Sequence, residues 1–415
     1  MTSPLVRRLL PLLALAGACG KQAMTTATVA APAPAGAPAV VMISLDAFRW
    51  DYLNRSTAVN LRRLAARGVH AERMVPSYPS LTFPNHYALV TGQYPEHNGI
   101  VANTMTDPQL GGFKMADSLA VHTEAWWTGE PVWVTAERQG RHAGAFFWPG
   151  SEVPHGGVWA SRWMHFDDKF PNAQRIDSVL AWLTLPGGKG LSFVALYYSD
   201  VDHAGHDFGP ASPQVDSAIA RVDSMIGRLV DGIAARGLTD RVNVVVVSDH
   251  GMTDVAPDHI IYLSDYFSPD DADVVDASEL GQIRPRPGKL EQVYAKLHGA
   301  HPHLSVYRKE EMPARFHYDD NARITPLLLV SDLGWVMTTR ARTSNWKPKP
   351  GAHGFDNQAL DMGASFIAAG PAFRAGYTAK PFQNIHVYDL ICHILGIKPS
   401  RNDGSLDSTR AMLRP

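Results

Sequence analysis

A chain of 415 residues that is 45% hydrophobic and 19% charged can bury a large core, which excludes a disordered polymer. Its 38 Lys and Arg stand against 40 Asp and Glu, a formal charge of -2, so no long-range field selects a nucleic-acid polymer or an anionic membrane as partner. Any phosphate binding must be local.

The first element is an export signal over residues 1–19. Arg7 and Arg8 precede the apolar run Leu9–Ala16, which is too short to span a bilayer, and the small residues Gly17 and Ala18 follow. Two processing routes stay open. Ala16-Gly17-Ala18 fits a cleavage site for simple secretion, while Leu15–Cys19 resembles a lipoprotein box in which Cys19 would carry a lipid anchor, with Ala16 where Leu is usual. Either route places the mature protein outside the cytosol, in the periplasm or beyond. Residues 20–38, rich in Ala, Pro and Thr, read as a tether. With Cys19 removed or acylated, Cys392 remains as the sole thiol, so the fold does not rely on an internal disulfide; within the apolar run Val387–Cys392 it reads as buried and inert.

Order begins with the β-branched run Val40–Leu45, a strand buried on both faces that ends in Asp46. A helix over Asn60–Arg67 follows, stopped by Gly68. The same alternation continues: strand Ala143–Trp148, helix Ala173–Leu183, strand Phe193–Tyr198, helix Val215–Ala235, strand Val242–Val247. Strands separated by helices predict an α/β fold with a mostly parallel central sheet flanked by helices on both faces. Segments around Ile324–Val330, Gly334–Thr338 and Ala364–Ala368 either extend that sheet or form a cap, and periodicity does not choose between them. Without a repeat or a second linker, residues 39–415 are expected to form one catalytic domain.

Three strand-like runs terminate in acidic residues: Leu45-Asp46, Tyr198-Ser199-Asp200-Val201-Asp202 and Val247-Ser248-Asp249-His250. Ligands of open α/β sheets gather beyond the carboxyl ends of strands, so these carboxylates are expected to converge on one crevice. Any one of them reads first as a cap or turn residue; the combination with histidines carries the argument. Asp202 and His206 are four residues apart, Asp249 and His250 are adjacent, and His353 lies between Ala352 and Gly354 on a loop able to approach an ion closely. Mixed Asp and His ligands without a cysteine cluster suit catalytic zinc better than structural zinc, magnesium or calcium. Thr82, two residues before Pro84, is placed to sit at a helix N-terminus where the dipole favours phosphate. Alone it reads as a helix cap before a nucleophile, and an adjacent metal reverses that order.

Five motifs occur in one order: Thr82-Phe83-Pro84-Asn85-His86, Tyr94-Pro95-Glu96-His97-Asn98-Gly99-Ile100, Trp148-Pro149-Gly150-Ser151, Asp202-His203-Ala204-Gly205-His206 and Ser248-Asp249-His250-Gly251-Met252. Together they resemble a bacterial member of the nucleotide pyrophosphatase/phosphodiesterase family, within the alkaline phosphatase superfamily. The resemblance implies two Zn²⁺ per chain, one held by Asp202, His206 and His353 and the other by Asp46, Asp249 and His250, with Thr82 as nucleophile at the second ion. It further implies Asn103 as a ligand to a phosphoryl oxygen, and a nucleobase slot between Phe83 and Phe166, where Tyr is usual in place of Phe166. The implied activity is hydrolysis of nucleotide phosphodiester or phosphoanhydride bonds to nucleoside monophosphates through a phosphothreonine-type intermediate, on a small-molecule substrate. A phosphomonoesterase on the same scaffold and a noncatalytic surface-binding protein are the alternatives. Among the other histidines, His86 is read as orienting the helix after Thr82, His97 and His203 as structural, and His259 is left out of the metal set. Trp126, Trp127 and Trp133 either border the groove or fill the core.

Overall fold

The computed structural model describes residues 36–342 and 347–415. The expected export signal with Cys19, and the expected tether up to Ala35, lie outside the described residues. The strands used below are β1 Ala39–Leu45, β2 Val69–Ala71, β3 Ala143–Phe146, β4 Arg162–Met164, β5 Phe193–Tyr198, β6 Val242–Val247, β7 Ala272–Ala277, β8 Leu280–Pro285, β9 Leu304–Arg308, β10 Leu327–Ser331, β11 Phe366–Ala369 and β12 Tyr377–Ala379. The helices are α1 Val59–Arg67, α2 Thr82–Thr91, α3 Val132–Arg138, α4 Asn172–Leu183, α5 Asp200–Phe208, α6 Pro213–Ala235, α7 Leu290–Leu297 and α8 His386–Leu395.

The main sheet has eight strands in the order β12-β2-β11-β6-β1-β5-β3-β4. From β6 to β4 every pairing is parallel, and β11 joins antiparallel to both β6 and β2. All seven residues of β1 are buried, which is why its sequence is continuously apolar rather than alternating. Its side chains feed two cores. Val40 and Met42 pack with α2, α3 and α8 on one face; Val41, Ile43 and Leu45 pack with α1, α4 and α6 on the other. At roughly 1.5–3 kcal/mol for each fully buried aliphatic side chain, this double burial fixes β1 as the centre of the fold.

The chain segments left open by periodicity divide between two sheets. Phe366–Ala369 enters the main sheet as β11, whereas Leu327–Ser331 forms β10 of a separate antiparallel sheet in the order β7-β8-β10-β9. That sheet turns Leu280, Leu328 and Val330 toward the main core and Ile283, Leu327 and Leu329 toward α7, so it is covered on both faces. The strand Val336–Thr338 pairs instead with Ile260–Tyr262. Cys392 lies fully buried within α8, as its apolar neighbours indicated, with burial pushing the thiol well up. Trp126, Trp127 and Trp133 are core residues. Among the described residues no helix is long and apolar enough to cross a membrane.

Candidate active site

Adjacent parallel strands β6, β1 and β5 bring their carboxyl ends to one edge, with Leu45 paired to Tyr198 and Ser44 to Val247. The residues just past those ends therefore meet. Asp46 follows β1 directly, and Asp249 and His250 follow β6; all three are essentially inaccessible. After β5 the chain turns at Ser199 into α5, where Asp202 and His206 lie one helical turn apart. His353 arrives from far along the chain because Gly351 and Ala352 pair antiparallel with Asp254 and Thr253, just beyond His250. The result is a stack of the His250 and His353 rings at 3.6 Å and 15°.

Backbone carbonyls set the imidazoles. Nδ1 of His206 donates to Gly351 O at 2.8 Å, Nδ1 of His250 to Gly251 O at 2.9 Å and Nδ1 of His353 to Ser80 O at 3.0 Å. With Nδ1 donating to a carbonyl, the neutral form of each ring is the tautomer that presents a bare Nε2 lone pair to the crevice, as a metal-ligating histidine does. Nε2 of His353 and His206 face each other at 3.1 Å, and both stand near Asp202 Oδ1, at 3.5 Å and 3.4 Å. Four ligands placed tetrahedrally at zinc distances are ~3.3 Å from one another, so these three spacings fit one such ion. Without a cation, two lone pairs and a carboxylate oxygen would repel across that gap.

A second convergence lies beside it. Nε2 of His250 is 2.9 Å from Asp249 Oδ2, 3.6 Å from Asp46 Oδ1 and 3.3 Å from the hydroxyl of Thr82. Asp46 and His250 also come together with Asp202, and Asp46 and Asp249 with His86, so the two clusters share carboxylates. One oxygen each of Asp46, Asp202 and Asp249 is buried without a hydrogen-bond partner. Orphaned buried carboxylate oxygens are costly unless a cation takes them up. The donor set fits divalent zinc-type ions at this position.

The electrostatics follow from crowding. Burial, then the carboxylates of Asp249 and Asp202, push Asp46 well up. Burial would raise Asp249 too, but His250 and His86 outweigh it and hold that carboxyl well below its usual range. Burial drives His353 well down, assisted by His250 and His206. Burial also opposes protonation of His250, yet Asp249 overcomes it and raises that ring. Neighbouring groups of one type are thus pushed apart, as happens where a bound charge is expected to complete the site.

Thr82 opens α2, whose last turn is closed by Gly92 in the left-handed conformation at φ 67°. Phe83 N donates to Asn103 Oδ1 at 3.0 Å, which fixes the amide of Asn103 and leaves its NH₂ as the group it can offer. Next to Thr82 lies a cavity of about 310 Å³ lined in part by Asp46, Phe83, Phe147, Trp148, Phe166 and Tyr197. Phe83 is braced by Phe113 and Trp127, each with its ring centroid 6.0 Å away. Phe166 is 51% exposed and rests on Phe147.

Residues 40–356 match the type I phosphodiesterase / nucleotide pyrophosphatase family. The chain belongs to this family. It is 39% identical to human ectonucleotide pyrophosphatase/phosphodiesterase family member 7 over 409 residues, covering 93% of this chain and 88% of that protein. It is 38% identical to the bis(5'-adenosyl)-triphosphatase enpp4 of Xenopus laevis, covering 92% and 83%. The structure superimposes on murine ectonucleotide pyrophosphatase/phosphodiesterase 5, an inactive threonine-to-alanine variant in complex with AMP, with a TM-score of 0.86 at 34% identity, covering 91% of this chain and all of that one. The protein is a hydrolase of the nucleotide pyrophosphatase/phosphodiesterase class.

Within this family member, all ten residues singled out in the sequence lie around one crevice edge: six in the carboxylate and imidazole cluster, Thr82 against it, Asn103 beside α2, and Phe83 and Phe166 on the cavity. His86 is buried beneath them, its Nδ1 2.8 Å from Thr82 O and 3.3 Å from Asp249 Oδ2, with Nε2 against Ser44 Oγ at 2.8 Å. His97 pairs with Asp403, and His259 stacks on Trp335. His203 lines the cavity. Gly351, two residues before His353, lies against α5: a Cβ there would be 2.2 Å from Gly205 O. Sequence reading missed Tyr197, whose hydroxyl donates to Asp46 Oδ2 at 2.7 Å, and Glu152 on the cavity wall. Tyr197 sits in an apolar strand and carries no local mark of a polar role; Glu152 directly follows the Trp148–Ser151 motif, which was the available signal.

Proposed function

We propose that the protein is an exported bacterial two-zinc phosphodiesterase that hydrolyses nucleotide phosphodiester or phosphoanhydride bonds to nucleoside monophosphates, with Thr82 as nucleophile. The observation that carries this reading is the Thr82 hydroxyl at the N-terminus of α2, 3.3 Å from Nε2 of His250 within the carboxylate and imidazole cluster. Asp202, His206 and His353 would hold one zinc, and Asp46, Asp249 and His250 the other. Zinc would supply Lewis acidity, favouring the Thr82 alkoxide and neutralising charge on the phosphoryl group.

Thr82 Oγ attacks phosphorus in line, the bond to the leaving oxygen breaks, and a phosphothreonine-type ester forms. Water then cleaves that ester, returning the hydroxyl and releasing the nucleoside monophosphate. The amide NH₂ of Asn103 and the first amides of α2 donate to nonbridging oxygens, where negative charge grows. Phe83 and Phe166 grip the nucleobase between two rings. The murine relative bound to AMP as an inactive threonine-to-alanine variant supports both the substrate class and the role given to a threonine.

The same proposal takes residues 1–19 as an export signal, 20–38 as a tether and 39–415 as the catalytic domain, with Cys19 as a lipid attachment point or a residue lost on cleavage. The reading is tested by assaying the zinc-loaded protein on ATP, a dinucleotide and a monoester beside Thr82→Ala. Nucleoside monophosphate release lowered by roughly 10³-fold or more in Thr82→Ala, with zinc content unchanged, supports it. Equal turnover by that variant, or faster cleavage of the monoester by the wild type, sinks it.

A further inference from the structure

A separate cluster of ligand-type side chains stands beside the same cavity, whose lining includes Val121, Glu152 and Phe166. His122 follows the short helix Ser118–Val121, Glu152 lies in the loop after β3, and His165 follows β4. Their candidate ligand atoms all fall within 4.8 Å of one another. Oε2 of Glu152 is the common point, 2.9 Å from Nε2 of His122 and 2.6 Å from Nδ1 of His165. The other oxygen, Oε1, accepts the backbone N–H of Phe166 at 3.1 Å. This division of labour, one carboxylate oxygen anchored to backbone and the other aimed at two imidazoles, is how outer contacts orient a ligating carboxylate.

We propose that His122, Glu152 and His165 form a further divalent-metal site, taking zinc or a comparable borderline transition-metal ion. Two histidines and one glutamate are a ligand set of open zinc sites, in which a fourth position is left to water or a bound molecule. Imidazole with carboxylate also discriminates against calcium and magnesium, which take oxygen ligands. The Glu152 side chain is only 9% exposed, so its charge needs compensation, whereas the His122 and His165 side chains are 38% and 69% exposed and free to adjust. Ligand atoms around a tetrahedral zinc are ~3.3 Å apart, so the imidazoles of His122 and His165 would retreat from Glu152 by about 0.4 Å and about 0.7 Å, within reach of exposed rings.

The site shares no ligand with the catalytic cluster and does not depend on the role given to Thr82. Its position gives it a consequence for the cavity. Glu152 lines the wall, and His165 immediately precedes Phe166, so an ion here ties the Phe166 segment to the segment of Val121 and His122. An occupied site would narrow the freedom of the exposed Phe166 ring.

The test compares the full chain with His122→Ala and His165→Ala, each dialysed against the same buffered free zinc and counted for zinc per chain by mass spectrometry. Each variant is expected to hold one equivalent less than the wild type. Cobalt(II) in place of zinc is expected to add a visible absorption band to the wild type that both variants lack. Equal counts for all three proteins at two equivalents overturn this site and leave the catalytic reading standing; no bound zinc in any of them overturns both. A loss of more than one equivalent also counts against it, because the cluster would then not be separate from the catalytic one.

Discussion

Asn103 is held by a bond that determines which of its ends faces away. A backbone N–H can only donate, so the contact from Phe83 identifies Oδ1 and commits it, and the NH₂ end is the one available to a phosphoryl oxygen. Replacing Asn103 by Ala is expected to lower kcat by roughly 10²-fold while KM moves little, because the donor matters most where charge develops. Steady-state kinetics on a chromogenic nucleotide diester reads that split. Thr82 depends on its surroundings in the same way: the identity of the residue was visible in the motif, but the role proposed for its hydroxyl rests on His250 standing 3.3 Å away. Tyr197 illustrates the reverse case. Its hydroxyl holds Asp46 from the side, yet nothing in the apolar run Phe193–Tyr198 marks it, since a tyrosine facing a core and a tyrosine facing a carboxylate look alike in sequence.

Two elements turn these residues toward one another. Helix α5 carries Asp202 and His206 on one face, and the paired segment Gly351–Ala352 lies against its backbone. Because a Cβ at position 351 would overlap Gly205 O, Gly351→Ala is expected to push the His353 loop away from α5, lowering both thermal stability and zinc content. Metal analysis after gel filtration, with a melting curve, checks it; retention of full zinc would show that the loop has slack. The tip of the β7–β8 hairpin makes a second prediction. Glu279 there is pushed up to about 7 by burial, from an ordinary value of 4.5. The folded state holds that proton more tightly than the unfolded chain, so its stabilising contribution is complete below about pH 4.5 and is lost as pH rises through about 7. In chelator-treated protein, Glu279→Gln is therefore expected to melt above the wild type at pH 8, with the difference closing by pH 5. A gap that does not change with pH would mean the carboxyl is ionised throughout.

Across the whole molecule, the crevice edge concentrates carboxylates with orphaned oxygens, and the fold carries that cost without a cation. Removing metal with a chelator is expected to lower the melting temperature by several degrees, and restoring zinc to recover it. An ion at 100 times its dissociation constant contributes about 2.7 kcal/mol per site. Calorimetry with and without chelator measures this; an unchanged transition would mean that the cluster is stable as it stands. At this scale the alternation of strands and helices was legible because β1, β5 and β6 are apolar on both faces and the intervening helices are amphipathic. The fate of Leu327–Ser331 was not legible, since a strand in a second sheet has the same period as a strand in the first.

What the sequence by itself determined is the set of chemical groups: acids at strand ends, histidines near them, and a threonine before a proline in an ordered series of motifs. Tertiary structure decided which of those groups touch. The order β6-β1-β5 sets Asp46 between the segments that carry Asp249 and Asp202, and a two-residue pairing returns His353 from about a hundred residues downstream of His250. The physical reason is that local composition encodes period and burial, whereas strand order and the carbonyl that pins each imidazole arise from contacts between distant segments.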